Sequence, residues 1–315
     1  MAQPTFAAYY GPRDRHDPYT EKWSFNIQAL ASRSTAVEIG YTGQNGKAFP
    51  TGVPGNQPTP GPGTIQTRRP YPNVGAYTQY VPVNDSHYEA LEISVKQREF
   101  HGLTAQVAFT WSKALGYANG TGTGTDDSYN LHYDWGVQGY DLPRKLVTTF
   151  VYRVPMAKNW YKPVRSVFGG WQLSSLWNYR DGYPFTVGVS GPTLNNGAGT
   201  NRANLLRNPD LPADQRTLNQ WFDPTAFSAP PNYVWGNQGR DMLRGPALFQ
   251  TDAGLQKRIP LGESRRLVVR GEATNLFNRV QLGTPIATFG ASGFGAIRSL
   301  AAGPRNLQVS LRFEF

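Results

Sequence analysis

The chain ends in Asn306-Leu-Gln-Val-Ser-Leu-Arg-Phe-Glu-Phe315, where Leu307, Val309, Leu311, Phe313 and Phe315 are apolar and Gln308, Ser310, Arg312 and Glu314 between them are polar. Successive side chains of a strand point to opposite faces of its sheet, so this period of two predicts a strand with one apolar and one polar face. A soluble half-buried strand reads the same way, and the segment alone leaves open what covers the apolar face.

The pattern recurs upstream. Trp23, Phe25 and Ile27 alternate with Ser24, Asn26 and Gln28, and Thr35, Val37, Ile39 and Tyr41 alternate with Ala36, Glu38, Gly40 and Thr42. Leu91, Ile93 and Val95 alternate with Glu92, Ser94 and Lys96. Leu103, Ala105, Val107, Phe109 and Trp111 do so with Thr104, Gln106, Ala108, Thr110 and Ser112. Strands are also read at 145–154, 171–180, 250–259 and 267–277. That makes about nine strands of about ten residues, the length a strand tilted near 45° needs to cross a bilayer.

The connections alternate in length. Ala31 to Ser34, Phe100 to Gly102 and Pro260 to Ser264 are tight, and Pro155 to Gly170 is somewhat longer. Gly43 to His87, Ala114 to Pro143, Ser190 to Leu248 and Asn278 to Pro304 are long. Outer-membrane barrels pair short periplasmic turns with long extracellular loops, whereas loops of this length are out of place inside a compact soluble domain. The fold class read here is therefore all-β: an antiparallel meander transmembrane β-barrel. On this orientation Trp23 and Trp111 lie near the outer interface and Trp171, Phe313 and Phe315 near the inner one, forming two aromatic girdles. Residues 1–22 read as the remnant of an extracellular loop and 23–315 as barrel. First and last strands both run inward, so two neighbouring antiparallel edges cannot close, and an odd number of strands is expected to be missing.

Composition agrees. Gly (34), Pro (25) and Tyr (17) are abundant with only 39% hydrophobic residues, which suits many short strands and turn-rich loops. Mean hydropathy is −0.50, and no apolar run is long enough for a membrane-spanning helix, a test that a barrel escapes because only alternate residues meet lipid. Without cysteine there is neither a disulfide framework nor a Cys-based metal or redox site. Met1 to Pro12 lack the pattern of a secretory signal peptide, so a mature protein beyond the inner membrane implies a fragment. The net charge of +10 is spread singly apart from pairs such as Arg68-Arg69 and Arg265-Arg266, unlike the clustered face of a nucleic-acid binder. Contact with anionic lipid headgroups or surface polysaccharide accounts for it more simply.

The polar faces carry Glu38, Glu92, Lys96, Arg98, Arg258, Arg270, Glu272, Arg312 and Glu314. Mixed charge suits a wet lumen with cross-strand ion pairs. Two loop clusters are candidate ligand sites. Asp126, Asp127 and Asp134 lie near Tyr129, Tyr133 and Trp135, offering carboxylates to a cation and aromatic faces to a sugar, though the spacing is not that of an EF-hand. Arg68 and Arg69 with Tyr71 offer charge to an acidic ligand. The plain readings are a solvated loop and simple loop anchoring. The four histidines, His16, His87, His101 and His132, fall in expected loops or turns, and neither a His-x-x-x-His pair nor a Gly-x-Ser-x-Gly elbow accompanies them. The expectation is no enzyme, no cofactor and no metal.

Seven segments add a resemblance. Arg69-Pro-Tyr-Pro-Asn-Val-Gly75, Thr110-Trp-Ser-Lys-Ala-Leu115, Gly169-Gly-Trp-Gln-Leu-Ser174, Gly182-Tyr-Pro-Phe-Thr186, Trp221-Phe-Asp-Pro-Thr-Ala-Phe227, Leu243-Arg-Gly-Pro246 and Asn275-Leu-Phe-Asn278 resemble, in order, barrel segments of Oar-like TonB-dependent receptors. Such receptors often carry an amino-terminal carboxypeptidase-regulatory-like domain, and have a signal peptide, a TonB box and a plug, none of which is read here. The resemblance implies a barrel of about 22 strands, of which about nine are present. It also implies uptake of a large nutrient such as an oligosaccharide, peptide or chelate. The implied partners are outer-membrane lipid, the missing plug and barrel strands, the TonB complex through that missing region, and the barrel-assembly machinery through the C-terminal strand. A structural or adhesive surface protein and a passive porin are the competing classes.

Overall fold

The computed structural model describes residues 17–117, 125–155, 161–191, 193–199, 201–262 and 264–315. Most of the expected loop remnant at 1–22, with His16, lies outside them. Nine long strands make one sheet: β1 (Tyr19–Leu30), β2 (Thr35–Gly55), β3 (Tyr77–Phe100), β4 (Leu103–Gly116), β5 (Arg144–Arg153), β6 (Trp171–Arg180), β7 (Leu248–Pro260), β8 (Arg266–Thr274) and β9 (Asn306–Glu314). Each pairs antiparallel with its neighbours in chain order, a pure meander, and a two-residue strand at Gly136–Val137 adds to β4. Among the described residues β1 and β9 do not meet, so the sheet is a partial barrel with two free edges.

Register assigns the faces. Directly paired residues share a face, and one face collects Phe25, Ile39, Ile93, Phe109 and Leu146 in pairs or chains of pairs across β1 to β5. Leu173, Leu255, Val269 and Leu311 continue it across β6 to β9. This face is open to solvent: Phe25 is 65% exposed, Trp111 60% and Val309 80%. So extended an apolar surface is incompatible with water and fits hydrocarbon. The other face carries Glu38, Glu92, Lys96, Arg258, Arg270, Glu272, Arg312 and Glu314. Arg98 lies beyond the last regular β3–β4 pair, Gln97 with Ala105, where the register shifts. Among the ion pairs of the described residues, Arg266 to Glu314 and Arg153 to Glu99 join different strands, while Arg270 pairs with Glu272 and Arg312 with Glu314 along the same strand.

The tight connections share one end of the sheet and the long ones the other. His101 and Gly102 have φ of 51° and 86°, the doubly left-handed turn whose twist suits a two-residue hairpin. Ser32 Oγ accepts from the amides of Ser34 (3.2 Å) and Thr35 (3.0 Å), tightening the β1–β2 turn. Trp23 and Trp111 stand toward the long-connection end, and Trp171, Phe313 and Phe315 toward the other. Gly43 makes room for Trp23, its cross-strand partner, because a Cβ there would lie 2.1 Å from the indole.

Two expected strand boundaries need correcting. The Gly43 to His87 connection is not all loop: β2 runs on to Gly55 and β3 starts at Tyr77, so the hairpin outgrows the rest of the wall, with register shifts at Gly46, Phe49 and Pro50. The bulged ladder accommodates Pro50 opposite Pro82. A short helix, Lys162–Phe168, lies within the β5–β6 connection. β1 begins at Tyr19 rather than Trp23.

Candidate functional site

The long connections fold on one another instead of lying in solvent. Phe185, Val187, Val189, Ala203, Phe222, Ala226, Phe227 and Leu243, all from 181–247, form a buried core that Phe289 and Phe294 of the β8–β9 connection complete. Phe222 sits edge-on to Phe227 (5.6 Å) and Phe294 (5.2 Å). A parallel bridge of Gly188–Val189 to Thr288–Phe289 binds the two connections through backbone.

Charged latches tie this lobe to the other loops and to the rim. Arg202, 4% exposed, contacts the carboxylates of Asp134 and Asp126 (3.4 Å to the latter), donates to the Tyr133 carbonyl at 2.6 Å, and stacks 4.0 Å above the Tyr133 ring. Arg244 pairs with the buried Asp141 carboxylate, whose other oxygen accepts from the Ala114 amide at 2.6 Å, and also donates to the Asp141 and Gly182 carbonyls. Arg240 donates to the carbonyls of Gly116 and Tyr117 at the end of β4. Arg144, at the start of β5, grips Asp181 with two nitrogens at 2.9 and 3.0 Å. Bidentate arginine–carboxylate pairs combine charge with fixed geometry, so the lobe is oriented as well as attached.

Burial sets the titration of these groups. Loss of water and the neighbouring Asp126 carboxylate push Asp134 up to about 6, outweighing the pull of Arg202. Burial likewise pushes the Tyr133 phenol up to about 12 and draws Arg240 down. Burial would raise Asp181, but the hydrogen bonds from Arg144 and Tyr179 outweigh it and hold that carboxyl below its ordinary range.

The expected loop residues are distributed as follows. Asp126, Asp134 and Trp135 belong to one packed segment: the Asp126 amide donates to Asp134 Oδ2 at 2.6 Å, and Trp135 meets Tyr117 edge-on at 4.8 Å. Asp127 caps its own loop by accepting from the Tyr129 amide, and the Tyr129 hydroxyl reaches the Gln57 carbonyl at 2.5 Å. Asp127 and Asp134 are buried, so the segment is not the solvated loop of the plain reading. Arg68 and Arg69 donate to backbone carbonyls, Arg68 to Thr59 and Asn195 and Arg69 to Asn56, while the Tyr71 ring is exposed. These two clusters lie in different loops, joined through the 181–247 segment by Asn195 and Arg202. The sequence reading missed Arg202, Arg240, Arg244, Asp141 and Asp181; the only signal was the motif segments around Gly182 and Leu243, since the partners are far apart in the chain.

Comparison with known proteins matches this architecture. The family described as an outer membrane beta barrel domain matches residues 1–308. A search of curated proteins returned no match. Among solved structures, the chain is similar in fold to the outer membrane transporter YddB from Escherichia coli, with 10% identity and a TM-score of 0.53 over 99% of this chain and 35% of that one. FpvA of P. aeruginosa, solved with bound pyoverdine, gives a TM-score of 0.48 at 9% identity over 94% of this chain and 27% of that one. The chain thus spans about a third of the transporter whose fold it shares.

Proposed function

We propose, for a chain that belongs to the outer membrane β-barrel domain family, that it forms part of the wall and the outer loops of a TonB-dependent transporter taking up a large nutrient such as an oligosaccharide, peptide or chelate. The observation that carries this reading is the division of the sheet into an exposed apolar face and a charged face, with tight turns at one end and a folded loop lobe at the other. The apolar face meets lipid, the charged face lines a wet lumen, and the lobe faces outward, where solute arrives. Arg68, Arg69, Tyr71, Asp126, Asp127, Tyr129, Asp134 and Trp135 belong to loops of that lobed end. A barrel of about 22 strands, the size the resemblance implies, holds a plug, and coupling to the TonB complex runs through that element. The free β9 edge pairs with a further barrel strand, because unpaired backbone in hydrocarbon costs several kcal/mol per group.

The test is uptake of a labelled oligosaccharide, peptide or chelate by cells expressing the protein at its full natural length, with and without a protonophore. The proposal expects uptake that stops when the inner-membrane proton gradient collapses. Uptake indifferent to the protonophore identifies a passive pore, and surface retention without uptake identifies an adhesive protein; either result overturns it.

A further inference from the structure

Between the loop lobe and the latched 125–135 segment lies a cleft of about 590 Å³, within the size range of small-molecule sites. Its lining includes Asp126, Arg202, Arg240 and Asp241, with Thr186, Asn201 and Gly199 beside them. From this we infer that the cleft is a subsite for a neutral polyhydroxyl ligand, a glycan unit; the inference rests on the transport reading and selects among its nutrient classes.

Charge comes first. The four ionic residues sum to zero, two acids against two bases. Each base is already engaged, Arg202 with Asp126 and Asp134, and Arg240 with the Gly116 and Tyr117 carbonyls beside Asp241. A charged ligand would have to break one of these buried pairs and leave its partner uncompensated, which is strongly unfavourable. A chelate of high charge and a zwitterionic peptide end are therefore poor fits.

The hydrogen-bond inventory then selects a hydroxyl. Asp241 Oδ1 is occupied by the Thr186 hydroxyl at 2.9 Å, while Asp241 Oδ2 and Arg240 Nε are buried without a hydrogen-bond partner among the described residues. They lie 3.8 Å apart, in side chains 10% and 12% exposed. Buried polar atoms of this kind call for a partner. A hydroxyl oxygen accepts and donates at once, so one such group, admitted from the cleft as the two side chains part, satisfies the guanidinium N–H and the carboxylate together. Opposed carboxylate and guanidinium groups lining a site with an amide and a hydroxyl match the vicinal hydroxyls of a sugar.

The experiment uses outer-membrane vesicles bearing the protein at its full natural length, applied to an array of maltotetraose, cellotetraose, xylotetraose, oligogalacturonate, chitosan tetramer and tetra-alanine. The inference expects retention on at least one neutral glycan in preference to the charged ones and the peptide. Arg240→Gln and Asp241→Asn should lower it about ten- to hundredfold, the value of hydrogen bonds to charged groups. Gly199→Phe guards against misfolding of those variants: a Cβ at Gly199 meets no atom within 4 Å, so the ring fills the cleft and leaves the ion pairs in place. It should abolish retention while Asp214→Asn, an exposed change in the same long loop, leaves it unchanged. Retention chiefly on charged glycans or peptide, no retention on any glycan, or neutral-glycan retention that survives Gly199→Phe each overturns the inference. Binding is read here without an energised membrane, so its outcome is separate from that of the uptake test.

Discussion

Placing one arginine on either face of β3 separates lipid from lumen. Val95 pairs with Val37 and Val107 on the apolar face, and its chain neighbour Ser94 pairs with Glu38 and Ala108 on the charged face. Val107 is midway between Leu103 at the tight-turn end and Trp111 at the other end of β4. At about 3.4 Å per residue and a tilt near 45°, that stretch spans about 20 Å of bilayer, so Val95 lies about 10 Å from either interface. Val95→Arg should cost about 2–4 kcal/mol, the depth-dependent cost of arginine on the lipid face, a change of about 30- to 1,000-fold in the folding equilibrium. Ser94→Arg gains Glu38 as a neighbour in a wet lumen and should stay within about 0.5 kcal/mol of the parent. Urea titration of the full-length protein in phospholipid vesicles, followed by tryptophan fluorescence, reads both. Equal midpoints, or a larger loss for Ser94→Arg, would refute the assignment of the faces.

Other expectations concern the loops and one turn. Because burial raises the Asp134 carboxyl to about 6, the folded loop layer favours its protonated form; this stabilisation is full below about 4 and is lost as pH rises through about 6. Trypsin-independent nicking of the 125–135 segment, read with a protease of flat pH response, should therefore be faster at pH 7 than at pH 5, and Asp134→Asn should flatten that dependence. Arg202→Gln strands two carboxylates beside Tyr133 and should cost the loop layer about 3–5 kcal/mol, seen as proteolytic release of the 125–135 segment while the sheet stays protected. Gly102→Ala puts a methyl at φ 86° and 2.1 Å from the Arg153 carbonyl oxygen, and a loss of about 1–3 kcal/mol in the same urea titration is expected.

Much of the wall was legible in the sequence because its physics is local. Leu307 to Phe315 alternate because one face meets a uniform apolar medium, and the same rule located each of the nine strands, seven of them to within a few residues. It misplaced the ends of β2 and β3, where Pro50, Pro54 and Pro82 imitate a loop while a bulged ladder continues. The loop layer was largely illegible. Phe222 and Phe294 pack edge-on although 221–227 and 291–297 show no strand or helix period. Arg202 finds Asp134 across a long stretch of chain, and nothing near either residue marks the pairing. Arg244 and Asn275 were flagged only as parts of segments that carry the family resemblance; their roles, binding the rim through Asp141 and shaping the start of the β8–β9 connection, came from three-dimensional contacts.

The central claim, that one face of this sheet meets lipid and the other a wet lumen, is tested most directly by nitroxide labels placed one at a time from Leu307 to Phe313 in the full-length protein in bilayers. Labels at 307, 309, 311 and 313 should be relaxed by oxygen and shielded from a water-soluble nickel chelate, and labels at 308, 310 and 312 should show the reverse. A period of two with that phase supports the account; accessibility that is uniform along the strand, or alternation of the opposite phase, contradicts it.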